Sequence, residues 1–353
     1  MRGWRSIAAR RPLSPREVPA PQRALAWIDA HRVPGGGGVV PYSGHTQATQ
    51  EVTGYLIPTL CDHGQRDLAL ELTRWLIAVQ RADGAFAAID GVPYTFDTAQ
   101  AARGLLAMLD ELPEAEHALQ RACDFIVSQI DAGGMVHTPS YGQWQCADGS
   151  VFSEYANLYV LPPLVGAGER LGRRDYEDAA ARALDRFRRQ RDLTRLAPGL
   201  ATMTHIFGYM MEALVELGEN DLAREGLAQA AALQAPDGAI PAYPGASWIC
   251  STGLAQLALA WYRLGEPVPA DAALACLESL QNPSGGFYGS YGPGACYFPA
   301  REISWAVKFY LDGVTWRNRL RARSRPTPPD VRAGKEAGLL AARMAAAPGG
   351  EGA

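Results

Sequence analysis

Along this chain, stretches in which apolar residues recur every three or four positions alternate with short polar, glycine-rich loops. Many of the stretches end in the same closure, a Gln followed within a few residues by one or two glycines. The clear copies run from Gln80 to Gly84, from Gln129 to Gly133 and Gly134, from Gln234 to Gly238, and from Gln281 to Gly285 and Gly286. Two degenerate copies, His31 running into the glycines at 35–38 and the segment 187–190, complete a series at intervals of roughly 50 residues. A repeat of that length is one helical hairpin, and a chain of hairpins buries its apolar faces by stacking neighbour on neighbour.

The spacing predicts hairpins from 52–60 with 68–79, 97–109 with 115–129, 153–171 with 176–190, 204–217 with 221–234, and 249–264 with 270–281. A last helix at 301–312 pairs with an early one at 24–30 if the ring closes. The fold class is therefore all-α, an (α/α)6 toroid of about twelve helices in two concentric rings. Segments such as 52–60 and 99–109 carry few charges and fit the inner ring, whereas 182–188 has one strongly charged face. The expected organisation is a flexible segment at 1–20, the toroid at 21–318, and a flexible Arg/Pro/Ala/Gly-rich tail at 319–353.

Composition narrows the function classes. With 48% hydrophobic and 20% charged residues and a net charge of -4, the chain has no basic excess for nucleic acid. Its six cysteines form no CxxC pair, which suits free thiols in a reducing compartment, and no apolar run is long enough to span a membrane. A cytoplasmic location is expected. No cofactor is implied, and oligomeric state is not legible.

In such a ring the loops open onto the amino-terminal ends of the inner helices, where unpaired backbone donors face the mouth. The residues at those starts are Glu51, Asp97, Glu154, His205, Cys250 with Ser251, and Glu302. Glu51, Asp97, Glu154, His205 and Glu302 are accordingly the candidate catalytic groups. Gln47, Glu51 and Tyr55 fall on one helix face, as do His205, Tyr209 and Glu212. Capping alone explains an acidic first turn well for Asp97 and Glu302 and poorly for Glu51, if its helix begins near Gln47. His45, Tyr55, Tyr94, Tyr141, Trp144, Tyr155, Tyr209, Trp248, Tyr291, Tyr297, Arg301 and Trp305 are the candidate substrate-binding residues. Aromatic faces mixed with hydroxyl, carboxylate and cationic groups suit a sugar better than a hydrocarbon cation.

The Gln-Gly-Gly-Phe closures, together with the Tyr94-Thr-Phe-Asp97-Thr-Ala-Gln100 run, resemble the repeats of the terpenoid cyclase and protein prenyltransferase superfamily, whose fold is an α/α toroid. That resemblance spans nearly all of residues 24–314. The Asp-x-Asp-Asp acid motif of squalene-type cyclases is absent here, as is the Asp-x-Cys pair of the prenyltransferase zinc site, so no metal is implied. The toroid also resembles the (α/α)6 barrels of glycoside hydrolases, polysaccharide lyases and uronate epimerases. Three functions follow as expectations. The first is a carbohydrate-active enzyme working by carboxylate, His or Tyr acid-base chemistry on a glycan or glycan precursor. The second is a terpenoid or isoprenoid cyclase or transferase, and the third a non-catalytic glycan-binding or assembly protein.

Overall fold

A computed structural model describes residues 18–138, 156–190 and 203–323. The chain divides into two units, Met1–Arg317 and Asn318–Ala353, and the helical ring belongs to the first. Among the described residues there are twelve α-helices: α1 (Ala20–Ala30), α2 (Gln50–Asp62), α3 (Arg66–Val79), α4 (Thr95–Ala107), α5 (Ala115–Ser128), α6 (Leu161–Leu171), α7 (Arg174–Gln190), α8 (Thr204–Glu216), α9 (Asn220–Ala232), α10 (Ser251–Arg263), α11 (Pro267–Ser279) and α12 (Ser304–Arg323). A 3-10 turn, Asn157–Val160, leads directly into α6. The described strands are two-residue pieces, β1 (Ile249–Cys250) and β2 (Ser290–Tyr291), paired antiparallel with Ile249 opposite Tyr291. This is the expected all-α toroid. No described helix is long and apolar enough to cross a membrane.

The even-numbered helices form the inner ring. In α4, ten of thirteen residues are buried, Asp97 and Gln100 among them, whereas outer α7 buries six of seventeen and keeps its charges outside. Neighbouring inner helices approach closely where glycine removes a side chain. A Cβ at Gly54 would lie 2.6 Å from Ala101 Cα, and one at Gly104 would lie 2.6 Å from the Gly54 carbonyl oxygen. Gly208 and Gly253 play the same part between α8 and α10.

The Gln-Gly closures are the joints between hairpins. Gln80 donates through Nε2 to the Gly84 carbonyl at 2.9 Å and to the Ala118 carbonyl at the start of α5 at 2.8 Å. Gln281 repeats this with Gly285 and Ala20, both at 2.9 Å, and Gln234 with Gly238 and Pro269 at 3.4 and 3.0 Å. One amide thus satisfies its own turn and reaches a carbonyl in the first turn of the next outer helix. Each closure glycine is left-handed, φ +86° at Gly84, +85° at Gly238 and +97° at Gly285, and sits on the backbone of that same outer helix. The remaining clear copy departs from the rule: Gln129 donates to Ser128, although Gly134 still seats against the Arg182 carbonyl. In the degenerate copy at His31, Arg32 pairs with Glu71 of α3 instead.

Gln281 and Gly285 fasten the last hairpin to α1, so the ring closes as expected. Several sequence-based boundaries shift: the helix expected from 153 is α6, starting at Leu161 after a 3-10 turn, and the one expected from 249 starts at Ser251 after β1. Helix α1 begins earlier than 24, because Pro19 and Pro21 suit a helix start, and α12 begins at Ser304 rather than 301 and runs on to Arg323. Helix α2 begins at Gln50, so Glu51 lies in its first turn and Gln47 lies outside it.

The joint is testable by comparing two left-handed glycines. A Cβ at Gly64 (φ +73°) would have nothing within 4 Å, whereas a Cβ at Gly285 would strike the Arg23 carbonyl group. Gly64→Ala should cost only the left-handed strain, about 1–2 kcal/mol. Gly285→Ala should cost clearly more, and Gln281→Ala about 1–3 kcal/mol for its stranded carbonyls, both read as a fall in thermal midpoint.

Candidate active site

The inner ring is plugged at its centre by aromatic rings from five elements. Tyr55 comes from α2, Phe96 from α4, Tyr159 from the 3-10 turn, Tyr209 from α8 and Phe309 from α12. Tyr209 stands 5.0 Å from Phe96, 5.0 Å from Tyr159 and 5.9 Å from Phe309, and Tyr55 is 6.1 Å from Phe309, centroid to centroid. The plug forms because the first or second turn of each of these elements delivers a ring to the same level.

At the amino-terminal side of the plug stand Glu51 and Asp97, in the first turns of the adjoining helices α2 and α4. Burial pushes the Glu51 carboxyl up to about 7. Burial also raises Asp97 well above the carboxylate range, and the charges of Glu51 and Asp90 raise it further. Asp97 is buried and Glu51 half-buried, and neighbouring carboxyls that disfavour each other's ionisation hold a proton between them near neutrality. The phenols of Tyr55, Tyr209 and Tyr297 are held well above their usual range, by burial first and then by neighbours that include Glu51, so they are hydrogen-bond donors and not bases.

His205 and Tyr297 complete this side. The His205 ring lies 4.6 Å from Tyr209 and 5.9 Å from Tyr297, its Nδ1 is 2.8 Å from Gln256 Oε1, and burial lowers its pKa to about 4. Tyr297 accepts a hydrogen bond from Trp305 Nε1 at 3.1 Å. The structure therefore brings together Glu51, Asp97, His205, Tyr55, Tyr209, Tyr297 and Trp305.

Other expected site residues are engaged elsewhere. Glu302 does not face the carboxyl pair: one oxygen accepts from Trp27 Nε1 at 2.6 Å, the other from Asn282 at 2.8 Å and from Ser284, so it clamps the last closure. Tyr94 donates to Asp90 at 2.9 Å, bracing the loop before α4. Trp248 packs in a small cluster with Ala242 and Cys250, against which Tyr297 is seated, so it backs the site from behind. Tyr291 accepts from the Tyr288 backbone N–H at 2.8 Å. Arg301 is exposed, donates to the Ser43 carbonyl at 3.1 Å and lies over the Tyr42 ring. His45 folds back on its own turn, with Nδ1 3.0 Å from the Gln47 carbonyl oxygen and its ring edge-on to Tyr42. Glu154, Tyr141, Trp144 and Tyr155 lie outside the described residues.

On the far side of the plug lies a charged cluster that the sequence did not announce. Lys308 is 3% exposed, pairs with Asp312 at 2.9 Å and approaches the Tyr159 hydroxyl at 3.3 Å. Glu216 bridges Arg103 at 2.8 Å and Arg263; burial alone would raise its pKa, but the two guanidiniums hold it at about 2. Glu212, fully buried, has no hydrogen-bond partner for either oxygen among the described residues. Burial raises it to about 7, against the pull of Lys308 and Arg263. Helical spacing places Glu212 on a face with His205 and Tyr209; its carboxylate belongs to this cluster instead.

No protein-family model matches the chain, and no curated protein matches it by sequence. Solved structures do match. The chain is similar to an alpha-amylase from Clostridium perfringens, with a TM-score of 0.62 and 11% identity, covering 84% of this chain and 98% of that one. It is similar to a glycosidase in complex with glucose, TM-score 0.61 and 13% identity, covering 85% and 96%. It is also similar to an unsaturated glucuronyl hydrolase specific for heparin, TM-score 0.61 and 13% identity, covering 86% and 97%. At such identities the likeness establishes the toroid. The resemblance to terpenoid cyclases gains no support from these matches.

The buried Glu212 predicts a pH signature. Its folded pKa lies above the unfolded value of 4.5, so the native state binds the extra proton between the two. Its contribution to stability is fully present below about 4.5 and is lost as the pH rises through about 7. Glu212→Gln should therefore gain on the wild type between pH 5 and pH 8, by about 3 kcal/mol at most. Denaturant titrations at the two pH values measure the difference.

Proposed function

We propose that this protein is a carbohydrate-active enzyme that hydrolyses a glycosidic bond in an oligosaccharide or glycan precursor, with Asp97 and Glu51 as its acid-base pair. The observation that carries the reading is the pair itself: a half-buried Glu51 and a buried Asp97, both raised toward protonation, on adjacent inner helices of a toroid shared with glycosidases. Two carboxyl groups of unlike protonation flanking the scissile bond are what glycoside hydrolysis requires.

Asp97, held protonated by burial and by the Glu51 charge, donates its proton to the departing glycosidic oxygen. Glu51, ionised above about 7, stabilises the positive charge that develops on the sugar ring and then acts as base toward water or as nucleophile. With Glu51 as nucleophile, the deprotonated Asp97 takes the proton from the incoming water and is restored; with Glu51 as base, the proton it takes from water must pass on to Asp97 to reset the pair. Tyr55, Tyr209, Tyr297 and Trp305 offer aromatic faces and donors to the sugar, and His205 offers an imidazole that stays neutral. Glu154, just ahead of the third inner helix in sequence, would add a further carboxyl, and Tyr141, Trp144 and Tyr155 further platforms.

Hydrolysis fits better than elimination or epimerisation on two counts. A lyase or epimerase needs His205 or a Tyr as the base for the C5 proton; burial keeps the tyrosines protonated, and with its pKa near 4 His205 is only a weak base. Arg301, the residue suited to hold a uronate carboxylate, is bound to Ser43 and stacked over Tyr42.

The test is turnover of a panel of aryl glycosides and oligosaccharides by the wild type, Glu51→Gln and Asp97→Asn. Each variant should keep its helical spectrum and lose a factor of about 10²–10⁴ in kcat. Asp97→Asn should recover part of the loss on substrates with good leaving groups, whereas Glu51→Gln should not. Wild-type rates in both variants would overturn the assignment, and glycan binding without turnover would point to a binding protein. The acid limb of the wild-type profile should follow Glu51, with a midpoint near 7, and the alkaline limb the loss of the shared proton.

A further inference from the structure

We infer that Gln256 is a positioning residue that fixes the tautomer of His205, so that Nε2 is a hydrogen-bond acceptor for a sugar hydroxyl; the sugar part rests on the glycan reading of the mouth. The two side chains come from adjacent inner helices, His205 from the first turn of α8 and Gln256 from α10, and Gln256 is fully buried. Nδ1 of the ring stands 2.8 Å from the amide oxygen of Gln256. A carbonyl oxygen only accepts, so Nδ1 carries the proton and Nε2 keeps its lone pair.

A second observation shows that this contact is built. Gly208, one turn beyond His205 on α8, lies against Gln256: a Cβ there would stand 2.7 Å from both its Cβ and its Oε1. Any other residue at 208 would drive the amide away from the imidazole. The absence of a side chain at one position thus places the side chain of another. The ring is further held between Tyr209 of its own helix and Tyr297 of the loop before α12, at 4.6 and 5.9 Å.

The groups facing His205 leave it neutral. They are Gln256 from α10, Tyr209 from α8 and Tyr297, with the buried thiol of Cys250 acting on Tyr297. The charge of Glu51 acts on the two tyrosines. Burial therefore dominates, and Gln256 opposes it only as a neutral acceptor. A neutral imidazole with a fixed acceptor nitrogen suits a hydroxyl donor and offers nothing to an anionic group. Since the tyrosines around it are donors, His205 supplies the complementary half of a hydroxyl-binding set.

The experiment is long-range ¹H–¹⁵N spectroscopy of the full chain with labelled histidine, the His205 signals being assigned by their loss in His205→Asn. In the wild type at pH 7, His205 should carry its proton on Nδ1 and should titrate near 4. Gln256→Glu puts a carboxylate against Nδ1–H and should raise the proton affinity at least tenfold, moving the midpoint up by one unit or more. Gly208→Ala, which displaces Gln256 without altering it, should let the second tautomer appear. A proton on Nε2 in the wild type, or titrations in both variants that superimpose on the wild type, would overturn the inference. Where a substrate is turned over, Gln256→Glu should raise KM more than it lowers kcat, and an analogue lacking one ring hydroxyl should erase that difference. Spectra as expected with no glycan bound or turned over would overturn the hydroxyl assignment and the proposed function while leaving the Gln256–His205 contact in place.

Discussion

The ring depends on one repeated interaction, the amide of a closure Gln bridging its own turn and the first turn of the next outer helix. Helical hairpins pack side by side readily, but packing alone leaves their axial offset free, since apolar contact is non-directional. The double donation from Gln80, Gln234 and Gln281 removes that freedom, because each amide reaches two specified carbonyls. The adjoining glycine enforces the same offset sterically by admitting the neighbour's backbone where a Cβ would collide. Once that offset is fixed, the first turns of α2, α4 and α8 carry Glu51, Asp97 and His205 to one side of the plug, which makes a mouth.

With the starts aligned, the chemistry sorts by depth. First-turn residues become a polar layer, residues near the next turn become the aromatic plug, and residues deeper still become the ion-pair cluster around Glu216 and Lys308. The plug separates two charged regions in a medium of low dielectric, where isolated charges are costly and paired ones tolerable. The two sides resolve that cost differently. Beyond the plug, Arg103, Arg263, Lys308, Glu216 and Asp312 neutralise one another. At the mouth, no cation is paired with Glu51 or Asp97 among the described residues, and the carboxyls respond by holding a proton. Glu212 beyond the plug adopts the same solution singly, without a hydrogen-bond partner among the described residues and raised to about 7, so what sets the mouth apart is that two such carboxyls stand there together on adjacent helices.

Much of this was legible in the sequence, for a physical reason. Periodicity reports which face of a helix is inward, and the closures report where each helix begins, so Glu51, Asp97, His205, Tyr55 and Tyr209 could be placed at the mouth from spacing alone. What spacing cannot report is which neighbour captures a side chain once it is there. Glu302, Tyr94, Trp248 and Arg301 all sit near helix starts or mouth loops, and each is engaged by a partner distant in sequence or folded into its own loop. Depth is also poorly encoded: Glu212 shares a face with His205 and Tyr209, yet it is two turns further in and belongs with Lys308. Phe96 and Tyr159 escaped notice because one sits among capping residues and the other in a 3-10 turn that breaks the 3.6-residue rhythm. Gln256 looks in sequence like any polar residue in an apolar helix, and only the glycine opposite it reveals its purpose.

The fate of Glu302 shows how function is distributed around a repeated fold. Six hairpins offer comparable positions at the mouth, and nothing in the repeat itself favours one over another. The chain, however, has a seam, where the last closure must meet α1 without a covalent connection between them. At that joint the turn is held by Gln281 and reinforced by Arg23 on Gln281 and by the Glu302 carboxylate on Trp27, Asn282 and Ser284. Loop-closure entropy explains the need: hairpins joined in sequence are already near one another, whereas the ends must be brought together across the whole ring. The carboxylate at the seam is therefore drawn into fastening the ring, and those at α2 and α4, flanked by covalently linked neighbours, are left free to hold a proton. The asymmetry of the site follows from where the ring was closed.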